Sequence, residues 1–580
     1  MTAERDISSV LAADVGSTWT HVCLLDRVEG VYRLMARAEE PTRQGGGAQA
    51  LRAVIAAVRR IERIAQRALL DSLDEPVTPE SPAGDGVDAI VACSSAAPPL
   101  NCALIGLTAD VSLPSAARAC AGAMARVSTA IALGQRPGAT RLAQLLPLEA
   151  APPDVIVLTG GYDNGPIAPL RAAAEMLSAL FSDAPAERRP VIVFAGNQEA
   201  RRPVAQALGP AFELAVVDNV RPNEATESPL ELQRELWRLY RERQLAAVSG
   251  MAALERWCAA PVQSTSDALQ VALRYLARRN ELPAGVLGYD VGGNATTLTA
   301  TGQQGLHAFV SADLGVAAGL SGLLSDDSLQ RVAQWLPYDT TSAELSAQLE
   351  NARLWPGGVP QTLDDLLMLH GAARVALRQT YDEWRAQLPQ GDDNSPSFRL
   401  IAARGGALAH CPQDGLSALL TLDALQPVGL ARLVVDWASL WPQLGALAAV
   451  APLAASQVFD RDSVRELGAA LCPIGQLRAG ERALRLTIES PGRATRALEV
   501  AFGQVARASL APDETAIVKV WPHPRLDIGL GEPGRPAQAR VQGGTLGLII
   551  DARGRPLRLP DDDRDRVRWQ QRWIKSLCAP

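Results

Sequence analysis

The stretch "LAADVGSTWTHVCLLD" (residues 11–26) runs from an apolar segment into an acid, a glycine and hydroxyl residues, and then becomes apolar again. A second stretch, "LGYDVGGNATTLTA" (287–300), repeats this order, and Asp290 lies 276 positions after Asp14. Glycine removes side-chain bulk at such a turn, so backbone N–H groups can approach and bind phosphate oxygens. The repetition predicts two β-hairpins of one design, about a domain apart, that hold a nucleotide triphosphate from opposite sides.

Each residue type in the two turns suggests a role. Asp14 and Asp290, at strand ends, are predicted to position Mg²⁺ and water, since magnesium takes one or two carboxylates and keeps most of its hydration shell. Either turn taken alone is also typical of a tight hairpin without a ligand. The residues predicted to bind phosphate are the turn glycines and hydroxyls, namely Gly16, Ser17, Thr18, Thr20, Gly292, Gly293, Thr296 and Thr297.

Composition limits the class of protein. The chain has 580 residues, too many for one core, with 47% hydrophobic and 21% charged residues, which predicts a folded protein of two to four domains. A net charge of −7 argues against nucleic acid as the main partner. The eight cysteines contain no CxxC pair, so neither a zinc site nor a disulfide framework is indicated. Without a signal-like start or a spanning segment, we expect a soluble, cytoplasmic protein with no membrane partner.

The order of predicted elements indicates an α/β fold. Short apolar runs without alternation, at 87–97, 154–165, 190–200 and 212–222, are typical of strands in parallel sheets. Segments at 51–70 and 115–133 have helical spacing. After about residue 460, short strands separated by Gly and Pro turns predict a β-rich region closed by a helix. The predicted domains are 1–280 with a helical insert near 223–280, 281–458, and a C-terminal β-rich domain, 459–580.

The paired turns resemble those of the actin-like ATPase superfamily, which includes actin and sugar kinases; a Walker A loop is absent. The resemblance implies a duplicated actin-like (ribonuclease H-like) ATPase fold with a central cleft, and ATP and Mg²⁺ as cofactors. It also implies an adenosine loop, for which "LIAARGGALAHCPQDG" (400–415) is the candidate, with Gly405 and Gly406 at the turn. Arg404 would stack on adenine or form a surface salt bridge. Asp163 would orient the attacking water or cap its own turn.

Further phrases narrow the resemblance to one bacterial family. The stretches "LTGGYDNG" (158–165), "FAGNQEA" (194–200), "DNVRP" (218–222) and "GLIIDARGRPL" (547–557) are similar to the MutL or GlmL family. Its members are encoded beside adenosylcobalamin-dependent glutamate mutase and are unrelated to the mismatch-repair protein of similar name. The resemblance implies a reactivating or chaperone factor that uses ATP to exchange damaged cobalamin in a B12-dependent mutase, with a mutase subunit as partner.

The chain also departs from the family pattern. His21 stands where a Lys is usual, and Asn294 is inserted or substituted in the second turn, which lacks its usual following acid. Whether ATP is hydrolysed is therefore open, as is the oligomeric state. The alternatives are a non-hydrolysing nucleotide-sensing scaffold or filament protein, and a small-molecule kinase of the same fold.

Overall fold

A computed structural model of the chain describes residues 7–44, 47–134, 138–282, 285–302, 305–386 and 398–579. The chain divides into two compact units. The first unit consists of Met1–Ala96, Ser249–Ala308 and Asp313–Pro580, and the second of Ala97–Val248 and Phe309–Ala312.

The strands alternate with helices along most of the chain. They are β1 (Ser9–Val15), β2 (Trp19–Val28), β3 (Val31–Pro41), β4 (Arg43–Gln44), β5 (Gly47–Ala48), β6 (Ala89–Ser94), β7 (Leu100–Gly106), β8 (Ala125–Ala132), β9 (Val155–Leu158), β10 (Val191–Phe194), β11 (Leu214–Val216), β12 (Gln263–Ser264), β13 (Val286–Val291), β14 (Thr296–Gly302), β15 (Gly305–Ser311), β16 (Leu400–Arg404), β17 (Gly429–Asp436), β18 (Val464–Cys472), β19 (Arg482–Glu489), β20 (Arg496–Ala501), β21 (Val505–Ala508), β22 (Thr515–Pro522), β23 (Ala537–Gln542) and β24 (Leu548–Asp551).

The helices are α1 (Ala50–Ala65), α2 (Ser112–Ala121), α3 (Gly138–Ala150), α4 (Ala168–Leu180), α5 (Arg201–Leu208), α6 (Leu230–Leu239), α7 (Met251–Trp257), α8 (Thr265–Arg279), α9 (Asp326–Ala333), α10 (Ser342–Leu354), α11 (Leu363–Arg385), α12 (Gly406–Ala409), α13 (Asp414–Leu425), α14 (Trp441–Leu447), α15 (Pro452–Val458) and α16 (Asp563–Cys578). Short 3₁₀ turns occur at Ala186–Arg188, Gln198–Ala200 and Ala318–Leu323, and π-helical turns at Tyr240–Leu245 and Phe459–Ser463.

Two sheets, which lie mainly in the first unit, are built in the same order. In the first, β3-β2-β1-β6-β12, the strands β1, β2 and β3 form an antiparallel meander, and β6 and β12 join it in parallel. The second begins β15-β14-β13-β16-β17, again with an antiparallel β13–β14 pair followed by parallel β16 and β17. The duplicated actin-like, ribonuclease H-like fold predicted from the sequence is confirmed.

The C-terminal strands are shared between two sheets. Strands β18, β24 and β21 extend the second sheet beyond β17, whereas β20, β19, β22 and β23 form a separate four-stranded antiparallel sheet. The region is β-rich, as predicted, and α16 follows its last strand. The three domain boundaries drawn from the sequence remain a prediction.

One apolar core joins the two duplicated sheets. It contains Val10 and Val91 from the first sheet, Leu400 and Val434 from the second, and residues of α8 and α14. These two helices lie in direct contact, and every residue of α14 is buried. Because both sheets pack on the same pair of helices, the carboxyl ends of β1 and β13 come close together.

The second unit contains a parallel sheet in the order β11-β10-β9-β7-β8. Its strands β9 and β10 are completely buried, as expected from apolar runs without alternation. The helix predicted over 115–133 is wrong in its second half, because α2 ends at Ala121 and residues 125–132 form β8. Gly122 follows the helix, and the alternating β-branched residues Val127, Thr129 and Ile131 favour a strand.

Within the part of the chain that the structure describes, no helix combines the length and the apolar character needed to cross a membrane.

Candidate functional site

The two predicted turns have the same backbone geometry. In the first, the Gly16 N–H donates to the Trp19 carbonyl at 2.9 Å, and in the second the Gly292 N–H donates to the Ala295 carbonyl at 3.0 Å. Both turns therefore have the same length, and Asn294 is a substitution at the position of Thr18, not an insertion. A Cβ atom on Gly16 would lie 2.6 Å from the Trp19 oxygen, so this turn needs glycine for close backbone approach.

The turns contact each other directly. A Cβ atom on Gly293 would lie 2.3 Å from the Thr18 hydroxyl oxygen. Ser17 and Thr18 are both buried, yet neither hydroxyl donates a hydrogen bond to any residue in the described ranges. Two hydroxyls in a buried glycine turn are thus available as donors, and this is the chemistry that phosphate oxygens require.

One arginine joins the two predicted aspartates. Arg404, the last residue of β16, donates from Nη2 to Asp14 Oδ2 at 2.5 Å and from Nη1 to Asp290 Oδ2. All three side chains are buried, and Arg404 is 7% exposed. The structure therefore brings together residues 14, 290 and 404, which are far apart in the sequence.

A third carboxylate completes this cluster. Asp436 Oδ2 lies 3.4 Å from Arg404 Nε, and the two Asp436 oxygens accept the backbone N–H groups of Leu440 and Trp441 at 2.9 and 3.0 Å. Burial raises the pKa of Asp436 to about 6, against the opposing effects of Arg404 and these N–H groups. Burial alone would lower the pKa of Arg404, but the carboxylates of Asp290, Asp14 and Asp436 raise it above its ordinary value.

Asp14 has two further buried partners. The Thr265 hydroxyl, in the first turn of α8, donates to Asp14 Oδ1 at 2.7 Å, and the Cys93 thiol lies 3.5 Å from the same oxygen. Burial, and after it the charge of Asp14, raise the pKa of the Cys93 thiol well above its ordinary value. Cys93 is therefore a neutral neighbour of Asp14.

Strand register explains where these neighbours come from. Asp14 is paired with Cys93 across β1 and β6, and Asp290 is paired with Arg404 across β13 and β16. Sequence reasoning missed Cys93, Thr265 and Asp436 as members of the cluster. Asp436 has a sequence signal, since it ends an apolar strand in the same way as Asp14 and Asp290.

The remaining predicted phosphate-binding hydroxyls lie on the strands that follow the turns. Thr20 and Thr42 share a hydrogen bond of 2.8 Å between their hydroxyl oxygens, and Thr296 donates to the Leu314 carbonyl at 2.8 Å. Thr297 stands opposite Asp290 in the β13–β14 register. The predicted contact of Thr20, Thr296 and Thr297 with phosphate remains a prediction, and two of these hydroxyls already have protein partners.

The predicted adenosine loop follows β16. Gly405 has φ +129°, and a Cβ there would lie 2.4 Å from the Val291 carbonyl oxygen, whereas a Cβ on Gly406 would meet nothing within 4 Å. Gly405 therefore serves close packing against β13, and Gly406 faces open space. The guanidinium of Arg404 is buried among the carboxylates. It is therefore neither a free surface for stacking on adenine nor part of a surface salt bridge, the two roles predicted from the sequence.

Asp163 lies in the second unit. Its Oδ1 accepts the Gln198 backbone N–H at 3.0 Å and the Asn219 side-chain amide at 2.9 Å, and its own N–H donates to the Pro222 carbonyl. These bonds connect the loops that follow β9, β10 and β11. Asp163 thus has a structural role in connecting these loops. Its role in orienting the attacking water remains a prediction.

The cluster has the carboxylates that Mg²⁺ prefers but does not present them to a metal ion. One oxygen each of Asp14 and Asp290 accepts a hydrogen bond from Arg404. Across the described ranges, no group of three or more His, Cys, Asp or Glu side chains is arranged to hold a metal. As it stands, the arrangement fits an internal cation, Arg404, and does not fit a bridging Mg²⁺.

The chain is similar in architecture to several solved structures. Nucleotide-free acetone carboxylase is 12% identical with a TM-score of 0.35, over 85% of this chain and 81% of that one. Xylulose kinase from Bifidobacterium adolescentis is 13% identical with a TM-score of 0.29, over 80% and 96%. The activator of 2-hydroxyisocaproyl-CoA dehydratase from Clostridium difficile, with bound ADPNP, is 9% identical with a TM-score of 0.27, over 77% and 97%. At these values the similarity does not extend to function.

Sequence families give a more specific result. No curated protein sequence matches the chain. The family model described as MutL protein, however, matches residues 10–463, from the start of the first sheet to the end of the second π-helical turn. This match covers more than half of the sequence and both glycine turns. The chain therefore belongs to the MutL protein family.

Proposed function

We propose that this protein binds ATP between its two glycine turns, and that it is an actin-like ATPase which reactivates an adenosylcobalamin-dependent mutase. The observation that carries the first part is the pairing of two turns with the same hydrogen bond, whose aspartates meet at one arginine. The mutase role rests on membership of the MutL family together with the resemblance to proteins encoded beside glutamate mutase.

In this proposal the phosphates are bound by the turn N–H groups and by the hydroxyls of Ser17 and Thr18. These hydroxyls are buried and donate to no residue of the described chain, so a phosphate would supply the acceptor they lack. Asp14, Asp290 and Asp163 stay the predicted catalytic residues, and Gly406 offers open space beside the predicted adenosine loop.

The binding step is tested by calorimetric titration of the full chain with ATP, ADP and a non-hydrolysable ATP analogue. Ser17→Ala combined with Thr18→Val removes both donors, and we expect a loss of affinity of about a hundredfold or more, since hydrogen bonds to charged groups contribute about 1.5–3 kcal/mol each. Ser321→Ala combined with Thr340→Val, at one exposed and one partly exposed residue outside the two turns, is the matched control and should bind as wild type does. Absence of nucleotide binding by the wild-type protein contradicts the proposal.

The mutase step needs a separate experiment. A B12-dependent mutase carrying an inactive cobalamin is incubated with this protein, ATP and fresh adenosylcobalamin, and recovered mutase activity is measured. Recovery that requires both the protein and ATP supports reactivation. Nucleotide binding without recovery, tested against the mutase encoded nearest to this gene, rejects that part alone.

The arrangement of Arg404 supports a second candidate, a nucleotide-sensing protein that binds ATP without hydrolysing it. Both carboxylates expected to hold metal and water are paired through one oxygen with this arginine, so neither can use both of its oxygens to assist phosphoryl transfer. Phosphate release by the wild-type chain distinguishes the two candidates, since only the ATPase releases phosphate faster than ATP alone.

A further inference from the structure

The Arg404 guanidinium lies among three buried carboxylates of the candidate site. Its guanidinium contacts one oxygen of Asp14 and one of Asp290, while Nε faces Asp436 at 3.4 Å. Each carboxylate is on a different strand, and Arg404 is in contact with all three. A guanidinium stays charged at every accessible pH and is less strongly hydrated than an ammonium group, so it suits a buried position among carboxylates.

The fold itself does not require an arginine here. In the first sheet, the position paired with Asp14 is Cys93, a small neutral residue, although the strands have the same order and register. The duplicated architecture therefore accepts a side chain without charge at this point. Arg404 is a feature of one half of the duplication, and its positive charge matches the excess of carboxylates around it.

One oxygen of the cluster has no partner. Asp290 Oδ1 is buried and makes no hydrogen bond to any part of the chain that the structure describes. An unsatisfied buried carboxylate oxygen is costly, and it is a ready ligand for any cation that enters. The Arg404 guanidinium donates a hydrogen bond to the carboxylate of Asp14 and another to that of Asp290.

We propose that Arg404 is a built-in cation that excludes divalent metal ions from Asp14 and Asp290. The inference rests on the proposed function, since it concerns the same site and determines what form of nucleotide that site accepts. A metal ion that accompanies a nucleotide must either displace the Arg404 guanidinium or bind through the phosphates alone.

The test uses Mn²⁺ alone, without nucleotide, so its outcome is separate from whether ATP binds. Free Mn²⁺ is measured by electron paramagnetic resonance while the full chain is titrated. We expect no stoichiometric Mn²⁺ site in the wild-type protein. Arg404→Gln should gain one stoichiometric site that binds Mn²⁺ at least about tenfold more tightly than any residual binding by wild type, because the three clustered carboxylates lose the positive charge of Arg404.

Two controls make the result specific. Arg404→Lys keeps a positive charge and should gain no Mn²⁺ site. Arg43→Gln removes an exposed arginine whose Nε donates to the Ser17 carbonyl near the turn, and it should resemble wild type. If Arg404→Gln does not fold, the wild-type titration alone can still overturn the proposal. One Mn²⁺ bound by the wild-type chain and lost in Asp290→Asn would show that metal reaches these carboxylates despite Arg404, and would overturn the proposal.

Discussion

Gly445 of α14 lies directly against Ala268 of α8, so closely that a Cβ atom on Gly445 would stand 1.9 Å from the Ala268 carbonyl oxygen. These helices form part of the core shared by the two duplicated sheets.

Gly445→Ala is expected to destabilise the first unit strongly. The new methyl group collides with a backbone carbonyl, which cannot rotate away as a side chain can, so the cost is about 3 kcal/mol or more, at the upper end for overpacking. Urea unfolding followed by circular dichroism measures the change. Gly406→Ala is the matched control, because its Cβ would meet nothing within 4 Å, and an equal loss in both variants contradicts the close-contact explanation.

Asp551 is the centre of a buried ion network that connects β24 to the helices of the second sheet. Its oxygens accept from Arg553 at 2.7 and 2.8 Å and from Arg555 at 2.6 Å, and Arg553 also contacts Asp423, the partner of Arg374. Burial alone would raise the pKa of Asp551, but the two arginines lower it below its ordinary range. The carboxylate is therefore ionised at neutral pH.

Asp551→Asn should lower the free energy of unfolding by about 3–5 kcal/mol, the range for breaking a buried ion pair, since it leaves arginine charge uncompensated in the core. Chemical denaturation at pH 7 measures this. Glu499→Gln breaks the exposed pair with Arg482 and should leave the unfolding midpoint unchanged. A similar small effect in both variants would mean that the network contributes little to stability.

How much of the fold could be predicted from the sequence depends on how far apart in the chain the interacting residues are. The runs that became β1, β6, β9 and β10 are short, apolar and bounded by small residues, so local patterning sufficed. The Ala-rich segment containing β8 has helical spacing as well as alternating β-branched residues, and only its parallel pairing with β7 decided the outcome.

The candidate site likewise has parts that local sequence predicts and parts that depend on residues far apart in the chain. The two turns could be predicted because glycine and hydroxyl residues follow an acid within a few positions. The contact of Arg404 with Asp14 joins residues 390 positions apart and depends on the shared core, which no local pattern encodes. From its neighbouring glycines, the sequence predicts that Arg404 stacks on adenine or forms a surface salt bridge, whereas its side chain points to the buried carboxylates of Asp14 and Asp290.

Because of His370, the free energy of unfolding should decrease in mild acid. The ring is buried in α11, Nε2 lies 2.9 Å from the Ala407 carbonyl oxygen, and burial followed by the charge of Arg374 lowers its pKa from 6.5 to about 4. The unfolded chain therefore takes up this proton at a higher pH than the folded chain, and the folded state loses stability as pH falls from about 6.5 towards 4. The loss between pH 6.5 and 5 is about 2 kcal/mol.

Thermal unfolding of wild type and His370→Gln across pH 5 to 8 checks this expectation. The amide can keep a donor to the Ala407 carbonyl and does not titrate, so the variant should lose less stability in acid. His523→Gln, at a partly exposed histidine outside this helix, should retain the wild-type slope. Parallel curves for wild type and His370→Gln contradict the assignment.

Asn219 is expected to hold the loops of the second unit together. It is 3% exposed, and its amide donates to the Gly161 carbonyl at 3.0 Å and to Asp163 Oδ1 at 2.9 Å, while its oxygen accepts the Arg221 N–H at 3.1 Å. Asn219→Ala leaves these groups without their partner, at a cost of about 1–3 kcal/mol. Hydrogen exchange should accelerate in residues 160–165, whereas Asn223→Ala, at an exposed turn, should not alter it. In Asn219→Ala, Asp163 loses one of the two hydrogen bonds that its Oδ1 accepts. If exchange in residues 160–165 stays slow in this variant, the backbone alone holds the loop in place.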